Sequence, residues 1–199
     1  MKRICVYCGS SPGFNPLYLD MAEKLGQAFI EYNLELVYGG ADVGLMGKLA
    51  DTVLKAGGSV IGVIPKLFAD RASHQGLTKL HIVESMHERK RMMFDLADGF
   101  IVLPGGYGTL EEFSEILTWS QLGLSKKPCG LINVNKYFDT LLSFFDDAVT
   151  EGFMKKEHRD MLLVGESPKE LLDKLYAYKV PSIEKWVKNS SCGENTDCV

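Results

Sequence analysis

The chain has 199 residues, of which 46% are hydrophobic and 24% charged, so it is long enough to bury a sizeable core as one domain. Its formal net charge of −4 argues against a nucleic acid as partner, because neutralising many phosphates requires a clustered basic surface. The first apolar run ends at Gly9 and is too short for a signal peptide or a membrane span. Five widely spread cysteines suit a reducing compartment, so we expect a cytoplasmic protein without a membrane partner.

Strand-like and helix-like segments alternate along the chain without a linker between them. Several of the strand candidates are continuous apolar runs, which is typical of strands buried on both faces. Strands are predicted at residues 3–8, 34–38, 59–64, 79–83, 99–103 and 129–133. Helices are predicted at residues 16–32, 45–56, 86–96, 109–122, 138–151 and 168–178. The alternation predicts an α/β fold, a doubly wound and mostly parallel Rossmann-like sheet with helices on both faces.

The domain organisation follows from the same pattern. Residues 1–180 are predicted to form a single Rossmann-like domain, in which residues 66–78 form a longer loop near the site. Beyond this domain the apolar periodicity fades. Residues 181–199 are therefore predicted to be a C-terminal extension, with a polar and disordered end from residue 189 onward.

Three glycine-rich loops follow predicted strands, at residues 9–13, 39–47 and 104–109. In doubly wound sheets ligands bind at the carboxyl ends of the strands, where these loops lie. A tight turn with positive φ explains glycine in any one loop, but three such loops at one edge favour a binding site. Candidate contacts in the first two loops are Ser10, Gly40 and Gly44.

The third loop opens the sequence Pro-Gly-Gly-Tyr-Gly-Thr-Leu-Glu-Glu, residues 104–112, and lies between a strand-like and a helix-like run. Such a turn directs free backbone N–H groups and the positive end of the helix dipole at a neighbouring anion, and phosphate suits that position best. The loop lacks the third glycine of the dinucleotide fingerprint, and no loop contains the Gly-Lys-Ser/Thr of a P-loop. We therefore expect a small monophosphate rather than NAD or a nucleoside triphosphate.

A run of three basic residues, 89–91, lies on the predicted helix that precedes the third loop. Successive residues point about 100° apart around a helix, so only one or two of the three can face a ligand. A solvated charged surface is the alternative interpretation of this run.

These motifs resemble the LOG ("lonely guy") family of cytokinin-activating enzymes. The third loop is similar to that family's PGGxGTxxE motif, residues 39–47 to its GGxxxGLMG loop and residues 86–90 (MHERK) to its basic helix. The resemblance covers residues 2–178 in the family's order. It implies a nucleoside 5′-monophosphate phosphoribohydrolase that cleaves the N-glycosidic bond of cytokinin riboside monophosphates, and often of AMP, to free base and ribose 5-phosphate.

The resemblance also implies the site residues, with Arg89 and Glu112 as the catalytic pair. It places in ligand-binding positions Lys90, Gly105, Gly106, Tyr107, Gly108, Thr109, Leu110, Glu111 and Thr118. Breaking the C1′–N9 bond develops positive charge on the ribose, which a carboxylate such as Glu112 stabilises. Arg89 is a poor general acid because it is permanently charged, so it would hold Glu112 ionised or contact ligand oxygens.

Two other functions stay open at this point. A non-catalytic nucleotide or cofactor carrier would use the same glycine loops without needing Glu112. A dinucleotide-dependent oxidoreductase is disfavoured by the missing glycine. No metal and no cofactor are expected, because Cys5-x-x-Cys8 lies in a strand and no second pair exists to complete a zinc site.

A homodimer is expected from the family resemblance and from the apolar residues of two helices. The apolar surface of these helices is larger than one sheet face is expected to cover, at Met92, Met93, Leu117 and Leu122. Methionine-rich surfaces adapt well to a partner, so these residues are predicted to pack against a second copy.

Overall fold

The computed structural model describes residues 1–181, apart from the side chains of residues 71 and 72. The strands are β1 (Arg3–Tyr7), β2 (Glu35–Tyr38), β3 (Val60–Pro65), β4 (Lys79–Val83), β5 (Gly99–Val102), β6 (Cys129–Ile132) and β7 (Leu162–Gly165). The helices are α1 (Leu17–Glu31), α2 (Gly44–Lys55), α3 (Lys66–Ala72), α4 (Met86–Leu96), α5 (Tyr107–Gln121), α6 (Asp139–Thr150), α7 (Lys156–Arg159) and α8 (Pro168–Ala177). A short 3-10 turn, Val134–Lys136, follows β6.

The strands form one seven-stranded sheet in the order β4-β3-β2-β1-β5-β6-β7, and every pairing is parallel. The predicted doubly wound α/β fold is confirmed. The order reverses at β1, whose Ile4 lies opposite Leu36 of β2 and Gly99 of β5. At such a point the loops after the two strands diverge and leave a crevice at the carboxyl edge of the sheet.

Alternate residues of β1 face two separate hydrophobic cores, as the two-residue period of a strand requires. Ile4 and Val6 pack with α1, α2 and α8, whereas Cys5 and Tyr7 pack with α4 and α5. Helices therefore cover both faces of the sheet. The prediction that Met93 packs against a partner is wrong, because Met93 is fully buried in the second core.

The N-terminus of α4 is fixed by its own side chains. The Ser85 hydroxyl accepts a hydrogen bond from the Glu88 backbone N–H at 3.1 Å, and the Glu88 carboxylate accepts one from the Glu84 N–H at 2.9 Å. This arrangement resembles a capping box and sets the helix entry. The N-cap of α5 is Gly106, which has no side chain to cap the first N–H groups.

The structure corrects the sequence prediction at short elements. Part of the predicted loop at residues 66–78 is α3, which was missed because its seven residues expose both Leu67 and Phe68 and show no helical apolar period. Strand β7 and helix α7, each of four residues, were not predicted. The predicted C-terminal extension lies outside the described residues, except for Pro181.

Within residues 1–181 no helix combines the length and the apolar character that crossing a bilayer requires.

Candidate active site

The three glycine-rich loops pack directly against one another at the carboxyl edge of the sheet. The Gly9 N–H donates a hydrogen bond to the Pro104 carbonyl at 2.9 Å, which joins the first loop to the third. The Leu45 N–H donates to the Gly9 carbonyl at 3.1 Å, which joins the second loop to the first. The sequence prediction that these loops share one edge is confirmed by this geometry.

Loop packing explains three of the glycines that were expected to bind ligand. Gly44 has φ +56°, and a Cβ there would overlap the backbone of Ser10. Gly40 has φ +77°, a conformation that side chains rarely adopt. A Cβ on Gly105 would overlap the side chain of the buried Thr109. These glycines shape the loops whether or not a ligand is bound.

Gly106 and Gly108 differ from the other glycines of the site. Neither has a positive φ, and a Cβ built on either would meet nothing within 4 Å. Gly108 lies in the first turn of α5, where alanine would stabilise the helix by about 1 kcal/mol. Neither packing nor a positive φ explains glycine at these two positions. Close approach of a ligand to the backbone would explain it.

A cleft of about 320 Å³ lies beside this turn, between residues 9–13 and 104–106, and the ring of Tyr137 forms part of its wall. Ser10 is exposed at the cleft. The described residues that line it include no charged side chain. Its size suits a small ligand, and its polar groups are hydroxyls and backbone amides.

Arg89 and Glu112 form an ion pair close to the same turn. The Arg89 Nη1 atom donates to Oε1 of Glu112 at 2.7 Å, and the two side chains are only 13% and 9% exposed. The Arg89 Nε atom also donates to the Val63 carbonyl at 3.2 Å. A Cβ on Gly39 would overlap the guanidinium, so the absence of a side chain there makes room for Arg89. The pair thus joins α4 to α5 and is bonded to β3 through the Val63 carbonyl.

The environment of Glu112 changes its acidity. Burial raises the pKa of Glu112 above the ordinary value of a carboxyl, the charge of Arg89 opposes this rise, and the nearby charge of Glu111 adds to it. A carboxylate with a raised pKa is a stronger proton acceptor than an exposed glutamate. Carboxyls whose pKa is shifted by burial and by a specific charged partner are found more often at functional sites.

Lys90 points to a different pair of carboxylates. Its ammonium group is bonded to Glu111 and lies 3.1 Å from Glu115, and the side chain is 11% exposed. Burial alone would lower the pKa of Lys90, but the hydrogen bonds and charges of the two carboxylates outweigh it and raise the pKa. Lys90 is therefore a charged group in a fixed position that orients Glu111. A lysine that forms a Schiff base must instead be deprotonated, so this arrangement does not suit that chemistry.

Thr118 was predicted to contact the ligand, but within the described chain it does not lie near the glycine turn or the Arg89–Glu112 pair. Its hydroxyl donates to the Ser114 carbonyl at 2.7 Å, and it lines a separate cavity of about 130 Å³ with Phe145 and Met154. Six residues separate it from Glu112, which places it about 9 Å further along α5 and about 120° around the helix.

Two further predicted residues flank the turn. Tyr107 is 93% exposed, so its ring is available to a ligand or to solvent. Leu110 is half-buried, and its N–H donates to the Gly106 carbonyl at 3.1 Å within the first turn of α5.

The structure adds Val63 and Tyr137, which the sequence did not place in the site. The Tyr137 hydroxyl donates to the Gly105 carbonyl at 2.7 Å. A signal for Tyr137 existed, because it follows β6 and so lies at the same carboxyl edge of the sheet.

Known proteins are similar in sequence to this chain over most of its length. A family model described as "Possible lysine decarboxylase" matches residues 46–175. The cytokinin riboside 5′-monophosphate phosphoribohydrolase of Rhodococcoides fascians is 51% identical over 165 residues, which are 82% of this chain and 83% of that protein. A relative of the same name from Arabidopsis thaliana is 47% identical over 191 residues, covering 96% of this chain and 89% of that protein. The chain belongs to the LOG family. The resemblance noted in the sequence is thereby confirmed.

Solved structures place this LOG-family chain in a wider fold group. The molybdenum cofactor binding protein of Rippkaea orientalis has a TM-score of 0.68 and 23% identity, over 89% of this chain and 97% of that one. A Moco carrier protein from Chlamydomonas reinhardtii has a TM-score of 0.67 and 19% identity, over 88% and 96%. At such identities the likeness shows the fold alone.

Proposed function

We propose that this LOG-family chain hydrolyses the N-glycosidic bond of nucleoside 5′-monophosphates, with cytokinin riboside 5′-monophosphates and AMP as substrates. The products are the free base and ribose 5-phosphate. The observation that carries the proposal is the buried Arg89–Glu112 pair beside a glycine turn that is open to a ligand. The names of the relatives, which are 45–51% identical, support the substrate class.

The phosphate binds at the N-terminus of α5. The N–H groups of Gly106, Tyr107 and Gly108 lack side-chain caps, and the positive end of the helix dipole adds to their attraction for an anion. Because the adjoining cleft carries no charged side chain, the phosphate is recognised mainly by backbone groups and by hydroxyls such as that of Ser10.

Glu112 performs the chemistry at the ribose. As the C1′–N9 bond breaks, positive charge develops on the sugar and the carboxylate stabilises it. Its Oε1 atom is held by Arg89, and among the described residues no hydrogen bond to Oε2 is found. Oε2 is therefore the oxygen that accepts a proton from the attacking water.

Arg89 keeps Glu112 charged and correctly directed. Without a cation at 2.7 Å, burial would favour the protonated form of Glu112, which can neither stabilise the sugar cation nor accept a proton. The guanidinium stays charged throughout and does not act as an acid.

A carrier function is the second candidate, and the shared fold of the molybdenum cofactor proteins is what favours it. Binding alone needs the open turn but not a buried ion pair next to it. Burying two charges carries a desolvation cost that a simple anion-binding turn does not require, so the Arg89–Glu112 pair favours the enzyme.

We also propose that the protein is a homodimer, as the family resemblance implies. The apolar side chains of Leu67, Phe68, Ile82 and Met86 are exposed around the edge strand β4, and a second copy would cover them. Within one chain Thr118 lies on another side of α5 from Glu112, so it can contact a ligand at the turn only from a partner protomer. Light scattering at micromolar concentration tests this point, and an active monomer would contradict it.

A cytoplasmic location completes the proposal. Cys5, Cys8 and Cys129 are buried free thiols, and burial raises the pKa of each, which keeps them unreactive. Such thiols suit a reducing compartment.

The experiment that tests the proposed function is a product assay on purified protein. AMP, a cytokinin riboside 5′-monophosphate and adenosine are incubated separately, and free base and ribose 5-phosphate are quantified by chromatography. Equimolar base and ribose 5-phosphate are expected from the monophosphates, with much slower cleavage of adenosine. Tight binding of AMP without release of adenine would favour the carrier, and equal turnover of AMP and adenosine would contradict phosphate recognition.

A further inference from the structure

The turn that follows β6 brings one tyrosine to the anion-binding turn. The Tyr137 hydroxyl donates a hydrogen bond to the Gly105 carbonyl at 2.7 Å, although the two residues are 32 positions apart in the sequence. We propose that Tyr137 is a positioning residue for phosphate recognition, which fixes the orientation of the peptide between Gly105 and Gly106. This inference rests on the proposed function, because it concerns how the same site recognises its monophosphate.

Peptide geometry explains why one hydroxyl has this effect. The Gly105 carbonyl and the Gly106 N–H belong to one planar trans peptide and point in opposite directions. Holding the carbonyl at Tyr137 therefore fixes the direction of the N–H that begins the phosphate-binding turn. The peptide is flanked by two glycines, which rotate more freely than other residues, so the Tyr137 hydrogen bond restricts its orientation beyond what the Gly9–Pro104 bond supplies.

The backbone that carries Tyr137 adopts an uncommon conformation. Asn135 and Lys136 have φ of 49° and 60°, in the left-handed region that residues other than glycine rarely occupy. Each costs about 1 kcal/mol or more and persists only where the surroundings demand it. The side chain of Asn133 supplies part of that demand, because its Oδ1 accepts a hydrogen bond from the Phe138 N–H at 2.9 Å.

Aromatic contacts fix the ring as well. Tyr137 meets Phe138 edge-on with ring centroids 5.0 Å apart, and it meets Tyr18 edge-on at 5.7 Å. Phe138 is buried in the core, so the ring of Tyr137 is attached to a rigid base. The hydroxyl thus reaches Gly105 from a ring that packs against two aromatic neighbours, while 44% of the residue stays exposed at the wall of the cleft.

The expected effect is confined to binding, because the hydrogen bond and ring contacts found for Tyr137 involve Gly105, Tyr18 and Phe138 rather than the Arg89–Glu112 pair. Tyr137→Phe keeps the ring and removes the hydroxyl. Tyr32→Phe is the matched control, since the Tyr32 hydroxyl also donates at 2.7 Å, to Asp173, but lies at the far end of α1. Affinities for inorganic phosphate and for AMP are measured by calorimetry, and kcat and KM for AMP by release of adenine.

Tyr137→Phe should weaken phosphate and AMP binding about tenfold and raise KM about as much, the range of one lost hydrogen bond. We expect kcat to stay within about twofold and Tyr32→Phe to match the unmutated protein. This split of KM from kcat is what a purely structural role would not produce.

Three results would overturn the inference: unchanged affinities in Tyr137→Phe, an equal loss in Tyr32→Phe, or a fall in kcat with unchanged KM. If the unmutated protein binds AMP but releases no adenine, the proposed function fails, while the phosphate affinities still decide the role of Tyr137. If the unmutated protein binds neither phosphate nor AMP, the inference fails together with the site.

Discussion

The glycine turn at residues 104–109 has two surroundings of different chemistry. Toward the cleft, the turn meets backbone amides, hydroxyls and the ring of Tyr137, with no charged side chain among the described lining residues. Toward α4, it adjoins the buried Arg89–Glu112 pair. Under the proposed function this difference separates recognition from reaction: uncharged groups would hold the anion, and the paired carboxylate would act on the sugar.

The same contrast exists among the glycines. Gly39, Gly44 and Gly105 allow close packing, because a Cβ on any of them would overlap a neighbour. Gly106 and Gly108 have open space at the position of a Cβ. Substitutions in the first group should disturb the loops or Arg89, whereas substitutions in the second group should disturb the ligand alone.

The largest effect is expected from Glu112→Gln, which removes the charge on the reaction side. Turnover of AMP should fall by about two to four orders of magnitude, the range for losing a general base or a major electrostatic contact. Initial rates of adenine release measure it. Glu115→Gln is the control on the same helix, and a loss there as large as in Glu112→Gln would mean that no specific carboxylate is involved.

A smaller loss is expected from Gly39→Ala. The new methyl group would overlap the guanidinium of Arg89 and displace it from Glu112. A displacement of about 1 Å at a catalytic pair lowers kcat by roughly ten- to a hundredfold, while phosphate affinity should hold. Steady-state kinetics with AMP test this, and a variant with normal kcat would show that the Arg89 position is not critical.

Gly108→Ala tests the recognition side. Alanine should stabilise α5 by about 1 kcal/mol and raise the melting temperature by roughly 2–4 °C. The same methyl group would enter the space left for the phosphate, so AMP affinity should fall about tenfold or more. Calorimetric melting and titration measure the two effects. Higher stability with unchanged affinity would mean that the turn does not contact the ligand.

The acid limb of the pH profile of kcat/KM, which reports the free enzyme, should report Glu112. Because burial raises its pKa, the carboxylate is protonated, and activity lost, at a pH above the ordinary glutamate value of about 4.3. Glu111→Gln removes a like charge that contributes to the rise, so the limb should move to lower pH. A limb at or below 4.3, or a shift to higher pH in Glu111→Gln, would contradict this electrostatic account.

The sequence predicted the sheet and the larger helices well because their apolar runs are long and periodic. It also predicted that residues 89–91 cannot all serve one ligand. In the structure Arg89 meets Glu112, Lys90 meets Glu111 and Glu115, and Arg91 pairs with Asp95 on the surface. The helical step of about 100° produces this division.

What the sequence did not reveal depends on contacts between distant segments. The need for glycine at position 39 comes from Arg89, 50 residues later, and the role of Tyr137 comes from a hydrogen bond to Gly105. The sequence also could not distinguish the packed Gly105 from the open Gly106, because local composition is the same for both.

One paired measurement tests the division between recognition and reaction most directly: kcat and Kd for AMP in the Glu112→Gln and Gly108→Ala proteins. The account predicts that Glu112→Gln loses turnover while AMP binding persists or tightens, since an anion near the phosphate is removed. Gly108→Ala should lose affinity while kcat at saturating AMP is retained. Near-normal adenine release by a folded Glu112→Gln protein, or loss of AMP binding in that variant, would contradict the account.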